Sequence, residues 1–147
     1  TSFNIIPPYV ELTGTVRAFD EDVREFVLAR VKSIFEGVAA SMRCEAEYHH
    51  VRGCPPVIND PEITASVQGV AVRVVGPEHT RDLEPTTVSD DIALFLEQVP
   101  GCYFMVGSAN PERGLDGAHH SPAFDFDEAA LSIAAEMMVR CALEYLS

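Results

Sequence analysis

Basic residues are scarce in this chain. Lys and Arg together number 10 against 23 Asp and Glu, so the 147-residue polypeptide has a formal net charge of −13 and a pI near 4.6. Such a surface repels phosphate backbones and anionic lipid, which argues against nucleic-acid binding and membrane-surface attachment. No apolar run approaches the ~20 residues that a membrane helix needs, and the opening residues do not read as a signal peptide. Cysteine is sparse as well. Cys44, Cys54, Cys102 and Cys141 are scattered, without a C-x-x-C pair or zinc-ribbon spacing. Within a chain that is 47% hydrophobic they read as reduced thiols, which predicts a cytoplasmic protein rather than a disulfide-stapled one. An initiator Met is missing too: the chain opens Thr1-Ser2-Phe3-Asn4, so processing or membership of a longer polypeptide is expected. Internal repeats are absent, as are H-E-x-x-H, G-x-S-x-G, Walker and G-x-G-x-x-G patterns.

What is present fits one ordinary domain or two partial ones, with about two thirds of the surface buried on folding. Val10, Leu12, Gly14, Val16 and Ala18 alternate with polar residues, so 9–19 reads as a half-buried strand. Asp20 then caps an amphipathic helix over 21–42, in which Val23, Phe26, Val27, Ile34, Phe35 and Val38 keep helical spacing. A second strand is expected at 44–51. Such a strand–helix–strand block has too few strands to close on itself. Gly53-Cys54-Pro55-Pro56 reads as a linker.

Beyond it, Asn59 or Asp60 with Pro61 starts a helix that carries Ile63, Val67, Val70 and Val74 to Gly76-Pro77. Ser89 is expected to cap a short helix with Ile92, Phe95, Leu96 and Val99 inward, stopped by Pro100-Gly101. The continuous apolar run 102–107 reads as a strand buried on both faces. A final helix, beginning around Asp125 to Asp127, is expected to bury Leu131, Ala135, Met138, Ala142 and Tyr145.

Between that strand and that helix lies a polar loop of about 17 residues, longer than most connections. It carries His119-His120, which reads either as a solvated pair or as a metal ligand or acid–base group. The remaining histidines do not complete a ligand set. His49 and His50 point to opposite faces of a strand, and His79 lies in a surface loop. Asp90 and Asp91 could be ligands, but capping a helix N-terminus, at the positive end of its dipole, explains acidic residues there without metal. None of the four cysteines sits at an evident helix N-terminus that would activate its thiol.

Five segments nevertheless carry a resemblance. They are Phe3-Asn4-Ile5-Ile6-Pro7, Leu12-Thr13-Gly14-Thr15-Val16-Arg17-Ala18-Phe19, Gly53-Cys54-Pro55-Pro56-Val57-Ile58-Asn59-Asp60-Pro61, Phe95-Leu96-Glu97-Gln98-Val99-Pro100-Gly101, and His119-His120-Ser121-Pro122-Ala123-Phe124-Asp125-Phe126-Asp127. Taken in order, and over essentially the whole chain, they resemble the second half of the metal-dependent N-acyl-amino-acid amidohydrolases. That group of zinc metallopeptidases includes hippurate hydrolases, aminoacylases and auxin-conjugate hydrolases. The resemblance implies an α/β architecture. Residues 1–55 would be part of a lid and dimerisation domain, a strand–helix–strand piece of a two-layer α+β unit. Residues 56–147 would be the C-terminal segment of a helix–sheet–helix catalytic domain.

The same resemblance implies two divalent metals per complete site, zinc, manganese, cobalt or nickel, and a glutamate general base that activates water against an amide carbonyl. It assigns His120 as a metal ligand and His119 as its neighbour, and it puts Asn4 in contact with substrate. Two departures stand out. Val88 occupies a position where the family often has glycine, which bears on substrate shape. The general base and the other metal ligands precede the family's counterpart of Thr1, so no catalytic residue is assigned in this chain. The expectation is therefore part of a longer amidohydrolase acting on small N-acyl amino acids. The alternatives are a non-catalytic dimerisation module derived from one, or a degraded gene product. With an unpaired strand edge at 9–19, self-association, most simply as a homodimer, is expected.

Overall fold

The computed structural model describes residues 3–147. They separate into two compact units. One runs to Pro56 and takes in Thr87–Ser89; the other comprises Val57–Thr86 and Asp90–Ser147. The Pro55-Pro56 linker thus lies at the boundary, and the short return of 87–89 to the first unit had no signal in the sequence.

The first unit is organised on helix α1, Glu21–Ser41. Asp20 caps it as expected: its carboxylate accepts from the Val23 amide at 2.9 Å. The helix ends through Arg43 in a left-handed conformation (φ 58°), which lets the Cys44 amide reach the Ala39 carbonyl at 2.9 Å. The buried line along α1 differs from the one expected. Arg24 and Leu28 are buried, whereas Val23, Phe26, Ile34 and Val38 are exposed. Arg24 is covered because its guanidinium ties the helix to the chain ahead of the prolines. It donates to Glu21 at 2.6 Å and to the Cys54 carbonyl at 3.3 Å. Glu21 also receives Arg52 at 3.0 Å. Of the apolar face that periodicity picks out, Val27 and Phe35 are half-covered, and the other four residues stand exposed.

The second unit is built on α2, Pro61–Val75, and α4, Ala129–Leu146, which pack against each other. Asp60 caps α2 through the Glu62 and Ile63 amides at 3.0 and 2.9 Å, with Pro61 in the first turn. Val70 is fully enclosed, at 0% exposure. Helix α3, Ile92–Leu96, is a single turn capped by Asp90 rather than by Ser89, since Asp90 accepts from the Ile92 amide at 3.0 Å. Its buried residue is Ala93, and Phe95 and Val99 are exposed.

Helix α4 is rotated from expectation. Ala130 and Met137 are buried, while Leu131, Met138 and Tyr145 are exposed. This helix is apolar nearly all round, so its spacing does not select one face.

The expected strands form no ladder among the described residues. The only bridge there is an isolated antiparallel one, Asn110 with Leu115. Segments 9–19 and 44–51 form no regular element and have no paired neighbour, and 102–107 is half-covered rather than buried on both faces. A strand needs a second chain segment to receive its N–H and C=O groups, and none of these segments finds one. At Tyr103 a side chain takes that part instead. Asn59 accepts from the Tyr103 amide at 2.8 Å and donates to its carbonyl at 2.9 Å, as a neighbouring strand would.

Candidate functional site

The long loop after residue 107 is closed at two levels. At its base the Asp127 amide donates to the Ser108 carbonyl at 2.8 Å. Asn110 and Leu115 exchange backbone bonds of 2.8 and 2.9 Å around a 3-10 turn, Pro111–Arg113, completed by Gly114 at φ 70°. Within this base the Asp127 carboxylate collects three donors. They are the Asn110 side-chain amide at 2.5 Å, the Arg113 guanidinium at 3.0 Å and the Ala129 amide at 3.0 Å. The bond to Ala129 makes Asp127 the working cap of α4, so the helix begins two residues later than the latest expected start. Hydrogen bonding from Asn110, then from Ala129, with the charge of Arg113 adding to them, holds the Asp127 carboxyl below its ordinary value.

The tip of the loop carries the histidine pair. The Ser121 amide donates to the Ala118 carbonyl at 3.0 Å, and the Phe124 amide to the Ser121 carbonyl at 3.0 Å. The Ser121 hydroxyl accepts from the Ala123 amide at 3.0 Å. His120 adopts a left-handed conformation, φ 63°, which for a residue with a side chain marks a chain path set by its surroundings. The rings line up behind it. His119 lies 4.8 Å from His120 and meets Phe124 edge-on at 4.9 Å, and Phe124 stacks on Phe126 at 6.5 Å. His119 and His120 are both exposed.

A second polar chain links Asn59, Tyr103 and Asp90. The Tyr103 hydroxyl donates to Asp90 at 3.0 Å. The bond from the Ile92 amide, then that from Tyr103, lowers the Asp90 carboxyl, and the same Tyr103 bond raises the phenol. Asp90 is thereby occupied with capping and with Tyr103. Burial pushes the Cys141 thiol up, the reverse of activation.

Among the described residues no group of three or more His, Cys, Asp or Glu side chains lies close enough to hold a metal ion. A single imidazole such as that of His120 does not by itself make a metal site. His49 pairs with Glu47 at 2.8 Å in the first unit, and His79 sits exposed in a 3-10 turn of the second. Asn4 lies in an exposed turn of the first unit.

Sequence reading missed the clamp formed by Asn110, Arg113 and Asp127. Its one available signal was an Asp two residues ahead of an apolar helical run.

The family model described as peptidase family M20/M25/M40 matches residues 4–144. The putative amidohydrolase YhaA of Bacillus subtilis is 33% identical over 145 residues, covering 97% of this chain and 36% of that protein. An N-acetylcysteine deacetylase of the same organism is 32% identical over 143 residues, again covering 97% of this chain and 36% of that protein. Thermostable carboxypeptidase 2 of Saccharolobus solfataricus is 30% identical over 136 residues, covering 92% of this chain and 34% of its own length. The chain thus spans about a third of the length of the curated relatives it matches. No solved structure matches it.

Proposed function

The chain belongs to peptidase family M20/M25/M40, and we propose that it is part of a hydrolase that cleaves the amide bond of small N-acyl amino acids. In that reaction water adds across the C–N bond, releasing a carboxylic acid and the free amino acid. Support comes from relatives named amidohydrolase, deacetylase and carboxypeptidase. The observation that carries the reading is the placement of His120. It stands at the tip of a loop fixed at its base by Asp127, inside the matched stretch.

In this reading His120 is one donor of a divalent-metal centre, and the other ligands and the general base come from beyond the described residues. Zinc, manganese, cobalt and nickel all suit an imidazole donor. Residues up to about 55 serve as part of a lid, with Asn4 facing substrate, and the rest as part of an α/β catalytic domain. Segments 9–19, 44–51 and 102–107 are then strands whose neighbours lie outside this chain.

The test is hydrolysis of a panel of N-acyl amino acids by a polypeptide carrying these residues at the length of the relatives. Activity should need a divalent metal and fall on chelation. His120→Ala should lower kcat/KM by more than about 100-fold with helical content unchanged. Full activity in that variant contradicts the reading.

Self-association is a second element of the proposal. It is favoured by the exposed Val23, Phe26, Ile34 and Val38 along α1, an apolar stripe of the kind that subunit interfaces cover.

A further inference from the structure

We propose that Gly117 is a positioning residue for His120. At the tip of the loop the chain leaves Gly117, turns through His119 and His120, and returns so that Ala123 and Phe124 pass directly against Gly117. A Cβ at 117 would collide with the Ala123 carbonyl oxygen and come within 2.9 Å of its carbon and 3.2 Å of the Phe124 Cα. All three are backbone atoms, so no side chain can swing aside to admit a methyl group. Gly117 has no unusual backbone angle, and what it provides is the close crossing.

The crossing matters because the tip has little else to fix it. It is held by the bonds Ser121 to Ala118, Phe124 to Ser121 and Ala123 to the Ser121 hydroxyl, all spanning two or three residues. The clamp through Asp127 secures the base and leaves the tip to itself. By letting the two arms touch, Gly117 sets where Phe124 sits. Phe124 meets the His119 ring edge-on, and His119 in turn abuts His120. The left-handed path at His120 lies inside this closed turn. Gly107 and Gly114, earlier in the same stretch, have open space where a Cβ would stand. Gly114 serves its turn through a left-handed φ of 70°, whereas at Gly117 alone of the three a Cβ would strike backbone. The consequence for hydrolysis rests on His120 being the metal donor, whereas the geometric consequence does not.

The experiment is NMR of the 147-residue chain with labelled histidine and phenylalanine. In the unsubstituted protein, Gly117 and Phe124 Hα protons should show a direct cross-relaxation peak; its absence overturns the proposal without any variant. Gly117→Ala should keep the helical circular dichroism, lose the Phe124 ring-current shift on His119, and move the His120 Cα resonance away from its left-handed value. Gly107→Ala should leave all three signals in place. Unchanged His119 and His120 resonances in Gly117→Ala overturn the proposal, as does an equal change in Gly107→Ala. The role of His120 is settled separately by His120→Ala in the hydrolysis assay. A tip that rearranges in Gly117→Ala while His120→Ala hydrolyses normally supports the positioning and contradicts the metal-donor reading.

Discussion

The Asn110 side-chain amide donates to the Asp127 carboxylate at 2.5 Å, across 17 positions of sequence, and closes the base of the loop that carries His120. Asp127 serves at the same time as cap of α4 and as partner of Arg113. One carboxylate thus joins the loop to the helix that follows it. Its lowered pKa gives this junction a pH dependence of definite sign. The unfolded chain titrates at the ordinary 3.8, so the stabilisation is complete well above that value. It fades as the pH falls below it and is lost once the pH passes the folded-state value. Side-chain amide resonances of Asn110 should keep their folded positions at neutral pH and collapse toward free values in acid. Asp127→Asn should show the loosened positions already at pH 7. Folded Asn110 signals in that variant at pH 7 would contradict this assignment.

The packing of α2 on α4 rests on few enclosed side chains, so each carries a large share. Met137 is buried at 4% exposure, whereas its neighbour Met138 stands at 64%. Met137→Ala should cost about 2–5 kcal/mol in urea unfolding, while Met138→Ala should cost under about 1 kcal/mol. Equal losses would mean that α4 faces α2 with the other phase.

Asn59 stands in for a neighbouring strand at Tyr103. Asn59→Ala removes both bonds and leaves part-buried backbone groups of Tyr103 without partners, which should cost about 1–3 kcal/mol. The phenol of Tyr103 is raised above 10.0, chiefly by its bond to Asp90. That stabilisation is present below the unfolded value and disappears as the pH climbs through the folded one. Ultraviolet titration should therefore find one tyrosine ionising late, and Asp90→Asn should return it toward the others. A Tyr103 that titrates with the rest would refute the bond.

Exposure along α1 predicts association. Sedimentation at rising concentration should show a species heavier than one chain, and Phe26→Glu with Ile34→Glu should return it to 16.1 kDa. A monomer at every concentration would contradict the proposal.

Much of the helical frame is legible in the sequence because its signals are local. Asp20 and Asp60 announce their helices by the side chain that satisfies the first amides, and Gly76 (φ 89°) ends α2 where an L side chain would be strained. Phase is harder to read. Along α4, Leu131 and Met138 look as suitable for burial as Ala130 and Met137, and only the packing of α2 decides between them. Along α1 one of the two buried residues is charged, Arg24, because a carbonyl from residue 54 and Glu21 await its guanidinium. No periodicity rule contains that information. Strand pairing is long-range in the same sense, since 9–19 alternates as a strand does and yet has no neighbour among the described residues. In the site, the adjacent histidines were visible as letters. The Asn110–Asp127 clamp and the crossing at Gly117 were not, because both join positions that come together only when the loop closes.

We propose that these 147 residues hold only part of a metal centre, to which His120 contributes one donor. This is tested most directly by the divalent-metal content of the 147-residue chain after exhaustive desalting. Well below one ion per chain is expected, because one imidazole alone does not retain a divalent metal against water. One or two ions firmly retained by the isolated chain would contradict it.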